Sequence, residues 1–156
     1  MHRDKPFPIP AIRRPTMNHD FPDFKTSLRL ALAETDTGPS EETLTQAPVL
    51  NHWFGVSQSN FPSLFGRTCR IDAPSHGKPI WKRTSVVVGM DKYAKWVRTL
   101  NRCYRLSDEP CPSVPEFVKG FGRLVLQGFQ AVSQDEFIEL IDAFSRRARW
   151  YLLQIN

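Results

Sequence analysis

Seven cationic side chains between positions 82 and 105 have the types and spacing best suited to a chemistry: Lys82, Arg83, Lys92, Lys95, Arg98, Arg102 and Arg105. That chemistry is anion binding. Guanidinium and ammonium groups make charge-assisted hydrogen bonds to phosphate or carboxylate, and they need no catalytic apparatus to do so. The seven belong to a block, residues 67–105, with ten lysines and arginines against Asp72 and Asp91. Its surplus of +8 exceeds the formal charge of the whole chain, +5. The preceding segment, 30–66, has four acids and no basic residue. A field concentrated in this way suits DNA or RNA on one reading and an acidic protein face on the other. A charged row also serves simply to keep a helix face in water.

Other chemistries find less support. Cys69, Cys103 and Cys111 form no CxxC pair, and with His76 they make a zinc set by inventory only, at spacings that match no finger or ribbon. A cysteine nucleophile would need His52 or His76 as its base, and nothing in the sequence pairs them. The acidic pairs Glu41-Glu42 and Asp135-Glu136 stand at expected helix starts, where the helix dipole already accounts for them. There is no phosphate-binding glycine loop and no nucleophile elbow. The chain therefore reads as a non-enzyme without metal or cofactor. Trp53, Trp81, Trp96 and Tyr104 are the aromatics that could stack on bases, although an apolar stripe puts Trp96 and Tyr104 in a core first.

The elements that must position these residues follow from periodicity. Over residues 91–106, a period of 3.6 gathers Tyr93, Trp96, Val97, Leu100, Cys103 and Tyr104 on one side. Lys95, Arg98, Arg102 and Arg105 then fall opposite, with Lys92 at the edge. A period of 2 mixes arginine with apolar residues, so the pattern predicts an amphipathic basic helix with Asp91 as its N-cap. Upstream, a strand running from Leu64 to Ile71 and another from Ile80 to Gly89 are joined by the turn-rich 73–79, an antiparallel pair. Asp20 is the expected N-cap of a first helix carrying Phe21, Phe24, Leu28 and Leu32, and Ser40 opens a short second helix that Pro48 stops. Ser113-x-x-Glu116 and Ser133-x-x-Glu136 read as capping boxes of a C-terminal helical hairpin, with Gly128 as the C-cap of its first helix. The second helix carries Phe137, Leu140, Ile141, Phe144, Ala148, Tyr151 and Leu152 on one face.

The expected fold is α+β: an antiparallel β-pair packed by the basic helix and the helical hairpin. Prolines at 6, 8, 10 and 15 mark residues 1–19 as a disordered arm, leaving 20–156 as one globular domain. A chain of 156 residues can bury roughly two-thirds of its unfolded surface and needs no staples. No apolar run approaches a membrane span, and residues 1–14, MHRDKPFPIPAIRR, lack the apolar core of a secretory leader. With three cysteines in no disulfide pattern, a reduced cytoplasm and a soluble protein are expected.

Three strings also carry a resemblance: Ala47-Pro48-Val49-Leu50-x-x-Trp53, then Thr84-Ser85, then Trp96-x-Arg98-Thr99-x-x-Arg102-x-Tyr104-Arg105-Leu106. Together they resemble a small family of uncharacterised alphaproteobacterial proteins, rhizobial ones especially, over about residues 40–107. The chain departs from that pattern at Ala73–Gly77 and at Ser107. The resemblance implies a bacterial cytoplasmic protein and no particular activity, and the C-terminal helices fall outside it. The functional expectation is a regulatory or accessory protein that contacts nucleic acid through the basic helix face.

Overall fold

A computed structural model describes residues 23–68, 80–107 and 128–155. The expected arm at 1–19, the first helix of the expected hairpin at 113–127, Cys69, Cys111 and His76 lie outside these residues. Helix α1 spans Phe24–Thr37 and is capped by Asp23, whose carboxylate accepts from the Thr26 amide at 2.7 Å. The cap is therefore three residues later than the expected Asp20, and Phe24 is exposed while Leu28, Ala31 and Leu32 are buried. Helix α2, Glu41–Gln46, starts at Ser40 as its sequence indicates, with the Ser40 hydroxyl accepting from the Thr43 amide.

Seven strands follow among the described residues: β1 Val49–Gln58, β2 Phe61–Thr68, β3 Ile80–Arg83, β4 Val87–Met90, β5 Trp96–Thr99, β6 Cys103–Leu106 and β7 Gln130–Ala131. Helix α3, Gln134–Gln154, closes the chain. The sheet runs β3-β2-β1-β6-β5-β4, with β7 paired to β1. All pairings are antiparallel except β1 with β6. The sheet curls until β2 and β4 touch, although three strands separate them in order.

The expected antiparallel pair is present as β2 and β3, within this larger mixed sheet. The expected strand Ile80–Gly89 is divided. Thr84 is buried and its hydroxyl accepts from the Leu64 amide at 3.0 Å, which anchors the chain to β2 before it turns into β4. The longest strand, β1, turns into β2 at Ser59-Asn60, both with positive φ (50° and 66°), the geometry of a two-residue hairpin turn that matches sheet twist.

The basic helix is corrected to a β-hairpin. Asp91 does cap backbone amides, those of Tyr93 and Lys95, but in a turn between β4 and β5 and not at a helix start. Strands β5 and β6 then pair Trp96 with Arg105, Val97 with Tyr104 and Arg98 with Cys103. The turn at Leu100-Asn101 is closed by Thr99, wholly buried, whose hydroxyl donates to the Arg102 carbonyl and accepts from the Arg102 amide. Both faces of this hairpin are covered by protein, so its strands do not need to alternate apolar with polar.

Among the described residues, two clusters form the core. On the concave face of the sheet, Leu50, Trp53, Leu64, Val87, Val97, Tyr104 and Leu106 meet Phe137 and Ile141 from α3. On the other side, Leu28, Ala31 and Leu32 of α1 pack with Val88 of β4 and with Phe144 and Ala148 of α3. Helix α3 thus enters both clusters. Its capping box forms, the Ser133 hydroxyl accepting from the Glu136 amide. Four of the seven stripe residues are buried, Leu140 and Leu152 are half-buried, and Tyr151 is exposed. Arg149 of α3 makes a bidentate pair with Asp36 of α1 at 2.6 and 2.9 Å, and those hydrogen bonds hold the Asp36 carboxyl below its usual range. The pair's small stabilisation is present above the ordinary carboxylate pKa and is lost as pH falls through the lowered folded value.

Candidate functional site

Cross-strand pairing places Trp96, Arg98, Cys103 and Arg105 on one face of the β5–β6 hairpin, opposite the concave core. Helices α1 and α2 lie against that face. Gly89 lets α1 approach, since a Cβ there would stand 2.0 Å from a Thr35 methyl. A bulge between Val87 and Gly89 interrupts the β4–β5 register at this point. Helix α2 is held by its own end: the Arg105 Nε–H donates to the Ala47 carbonyl at 3.3 Å, and the Arg105 amide to the Pro48 carbonyl.

Two clefts flank α2. One, of about 240 Å³, is lined by Glu34 of α1, by Thr43, Gln46 and Ala47 of the α2 segment, and by Arg98, Arg102 and Cys103 of the hairpin. The other, of about 340 Å³, is lined by Leu44, Val49, Lys95, Trp96, Arg105, Leu106 and Ser107. Four of the seven sequence-picked cations therefore converge on the two sides of one short helix: Lys95, Arg98, Arg102 and Arg105. Among the described residues, Glu34 is the single carboxylate in the walls of these two clefts.

The four are not equivalent. Lys95 and Arg102 are exposed, Arg105 is half-buried, and Arg98 is only 9% exposed. Arg98 Nη1–H donates to the Thr99 carbonyl at 2.7 Å, and its Nε lies 3.6 Å from a Glu34 oxygen, beyond hydrogen-bond reach. A substitution of Arg98, Arg102 and Arg105 together would therefore disturb packing, contrary to a row of outward helix residues.

The remaining three cations sit elsewhere. Lys82 approaches the Tyr104 ring at 5.5 Å, as Arg102 does, so the two flank a single buried aromatic. Arg83, adjacent on β3 and so on the opposite face, lies 4.0 Å from the Phe129 ring centroid. Lys92 stands over Tyr93 in the β4–β5 turn. Trp96, expected in the core, is half-buried in the second cleft beside Lys95 and Arg105, and its loss would cost less than that of a core aromatic. Tyr104 is buried, and Trp81 stacks on Phe65 with ring centroids 5.6 Å apart. Trp53 is buried, and its indole N–H donates to the Ser107 carbonyl.

Cys103 is at the wall of the first cleft as a buried free thiol. Burial pushes it up to about 11, and the Glu34 carboxylate adds in the same direction, so it stays protonated and is a poor nucleophile. Among the described residues no group of three or more His, Cys, Asp and Glu side chains could hold a metal ion. Among them, too, no helix is long and apolar enough to cross a membrane. Sequence reasoning missed Glu34, Thr43 and Gln46 as cleft residues. The only relevant signal was the Ser40 cap that starts α2, and it says nothing about which strand α2 will cover.

Fold and groove together define an α+β domain that presents cationic clefts on both sides of a short helix. The chain belongs to a family of unknown function, DUF6634, whose model matches residues 18–149. That match takes in α1 and most of α3, well beyond the 40–107 of the sequence resemblance. No curated protein and no solved structure matches the chain.

Proposed function

We propose that this protein is a non-enzymatic accessory or regulatory protein that contacts nucleic acid through the cationic groove beside α2. The observation that carries the reading is the convergence of Lys95, Arg98, Arg102 and Arg105 on two clefts with one carboxylate among the described residues of their walls. Phosphates neutralised there would release counterions, the main source of affinity for such a surface. The half-buried Trp96, in the same cleft as Lys95 and Arg105, offers an aromatic surface for a base to stack on. An acidic protein partner is the competing occupant. Shallow clefts with a half-buried tryptophan among the cations suit the phosphates and bases of a strand better than an acidic protein face.

Fluorescence anisotropy with labelled single- and double-stranded DNA and RNA tests the reading. Wild-type protein should bind at least one of them at low salt. Lys95→Gln with Arg102→Gln, both exposed positions, should leave the melting temperature nearly unchanged. The slope of log affinity against log salt should fall by up to about 2, at about 0.9 for each duplex phosphate no longer neutralised. Wild-type protein that binds neither DNA nor RNA would remove the nucleic-acid reading and leave the acidic protein partner in front.

A further inference from the structure

The molecule holds two arginine–carboxylate pairs among its described residues, and they differ in an informative way. The exposed one, Arg149 with Asp36, is bidentate and closed. The buried one, Arg98 with Glu34, stands open at 3.6 Å, and Arg98 Nε is buried with no hydrogen-bond partner. This is the reverse of what a structural pair requires. Taking a guanidinium out of water is costly, and the cost is offset only when its N–H groups are well satisfied. Arg98 is buried, with Nη1 bonded to the Thr99 carbonyl and Nε left without a hydrogen bond, and it lines a cleft.

The other walls of that cleft are mostly donors. Arg102 lines the cleft from the exposed end of the hairpin, its guanidinium resting 5.5 Å from the Tyr104 ring centroid and paired with no carboxylate among the described residues, so that it can turn to an anion in the cleft. Thr43 accepts from the Ser40 hydroxyl at 2.9 Å, which leaves its own hydroxyl proton to give. Gln46 supplies an amide. Cys103 is a neutral neighbour and adds no charge of its own. Two cations, a hydroxyl and an amide against one carboxylate make a receptor for a compact anion carrying more than one negative charge. A phosphate monoester suits that charge better than an internal phosphodiester, because it carries up to two negative charges and three free oxygens where the diester carries one charge and two.

We propose that the cleft between α1, α2 and the β5–β6 hairpin binds a phosphate monoester, with Arg98 and Arg102 as its guanidinium ligands and Glu34 as the carboxylate it displaces. The proposal rests on the nucleic-acid reading only for the source of the monoester, the end of a strand; inorganic phosphate shares the chemistry.

The test is isothermal titration of the full chain with inorganic phosphate and with one short oligonucleotide in three forms: 5′-phosphorylated, 3′-phosphorylated and hydroxyl-ended. Inorganic phosphate should bind, and it should compete with a phosphorylated form. At least one phosphorylated form should bind about tenfold or more tighter than the hydroxyl-ended one, the scale of a charge-assisted contact. Arg102→Gln should weaken phosphate binding by a similar factor. Glu34→Gln should tighten it several-fold, because it removes a like charge from the site. That gain distinguishes a ligand site from a structural ion pair, whose loss would lower stability and leave phosphate binding unmoved. If all three oligonucleotides bind equally, phosphate does not compete and both variants are silent, the cleft proposal falls and the nucleic-acid reading stands. If inorganic phosphate binds and Glu34→Gln tightens it while no oligonucleotide binds, the cleft stands and the nucleic-acid reading falls.

Discussion

Phe137→Ala is expected to lower the unfolding free energy by about 3–5 kcal/mol, the range for a large aromatic lost from a packed core. Phe137 is 1% exposed and belongs to the cluster that fills the concave face of the sheet. Its ring rests on β1 at Gly55, where a Cβ would stand 2.5 Å from a ring carbon, so ring and glycine are complementary. It also begins the stretch of α3 that joins the two core clusters, with Ile141 in the same cluster and Phe144 and Ala148 in the other. Arg147→Ala, on the exposed side of the same helix, should change stability by no more than about 0.5 kcal/mol. Urea denaturation of both variants with matched m-values is the measurement. Equal effects would show that the buried face of α3 is misassigned.

Gly89→Ala is the second large effect, although it only adds a methyl group. The new Cβ would meet three atoms of the Thr35 side chain, the nearest at 2.0 Å and the Cβ itself at 2.9 Å, so no rotamer of Thr35 clears it. Helix α1 would have to lift from β4, and the packing of Val88 against Leu28 and Leu32 would loosen with it. Overpacking of this kind costs about 1–3 kcal/mol, and more where a whole helix must move. Thr35→Gly in the same chain removes all three atoms. Thermal melting should therefore show the double variant losing less than the two single changes added together. Strict additivity would mean that the two residues do not touch.

The C-terminal helix is legible in the sequence because its signals are local. Ser133 and Glu136 stand three apart, and the apolar stripe from Phe137 to Ala148 keeps one period over more than three turns. Ser40 announces α2 in the same way. Strand β1 is not legible, because His52 with positive φ and a bulge between Asn51 and Phe54 break the alternation that marks a strand. The 91–106 segment misleads for a related reason. Its charges separate cleanly at helical spacing, and that separation turns Arg98 toward solvent. In the fold Arg98 is polar and buried, under a helix whose Glu34 lies 64 positions away in sequence. Local periodicity cannot register a partner at that distance. The same limit applies to the groove: its cations are visible as residue types, whereas the helix that divides them into two clefts is a tertiary fact.

If the groove beside α2 is the working surface, amide chemical shifts should show it most directly when the labelled protein is titrated with a short oligonucleotide at low salt. Shifts should concentrate at residues 43–47, 95–98 and 102–105, on both sides of α2, with the far end of α3 around Trp150 and Leu153 silent. Shifts centred on Arg83, on Lys92 or on the end of α3, with the groove residues unmoved, would contradict it.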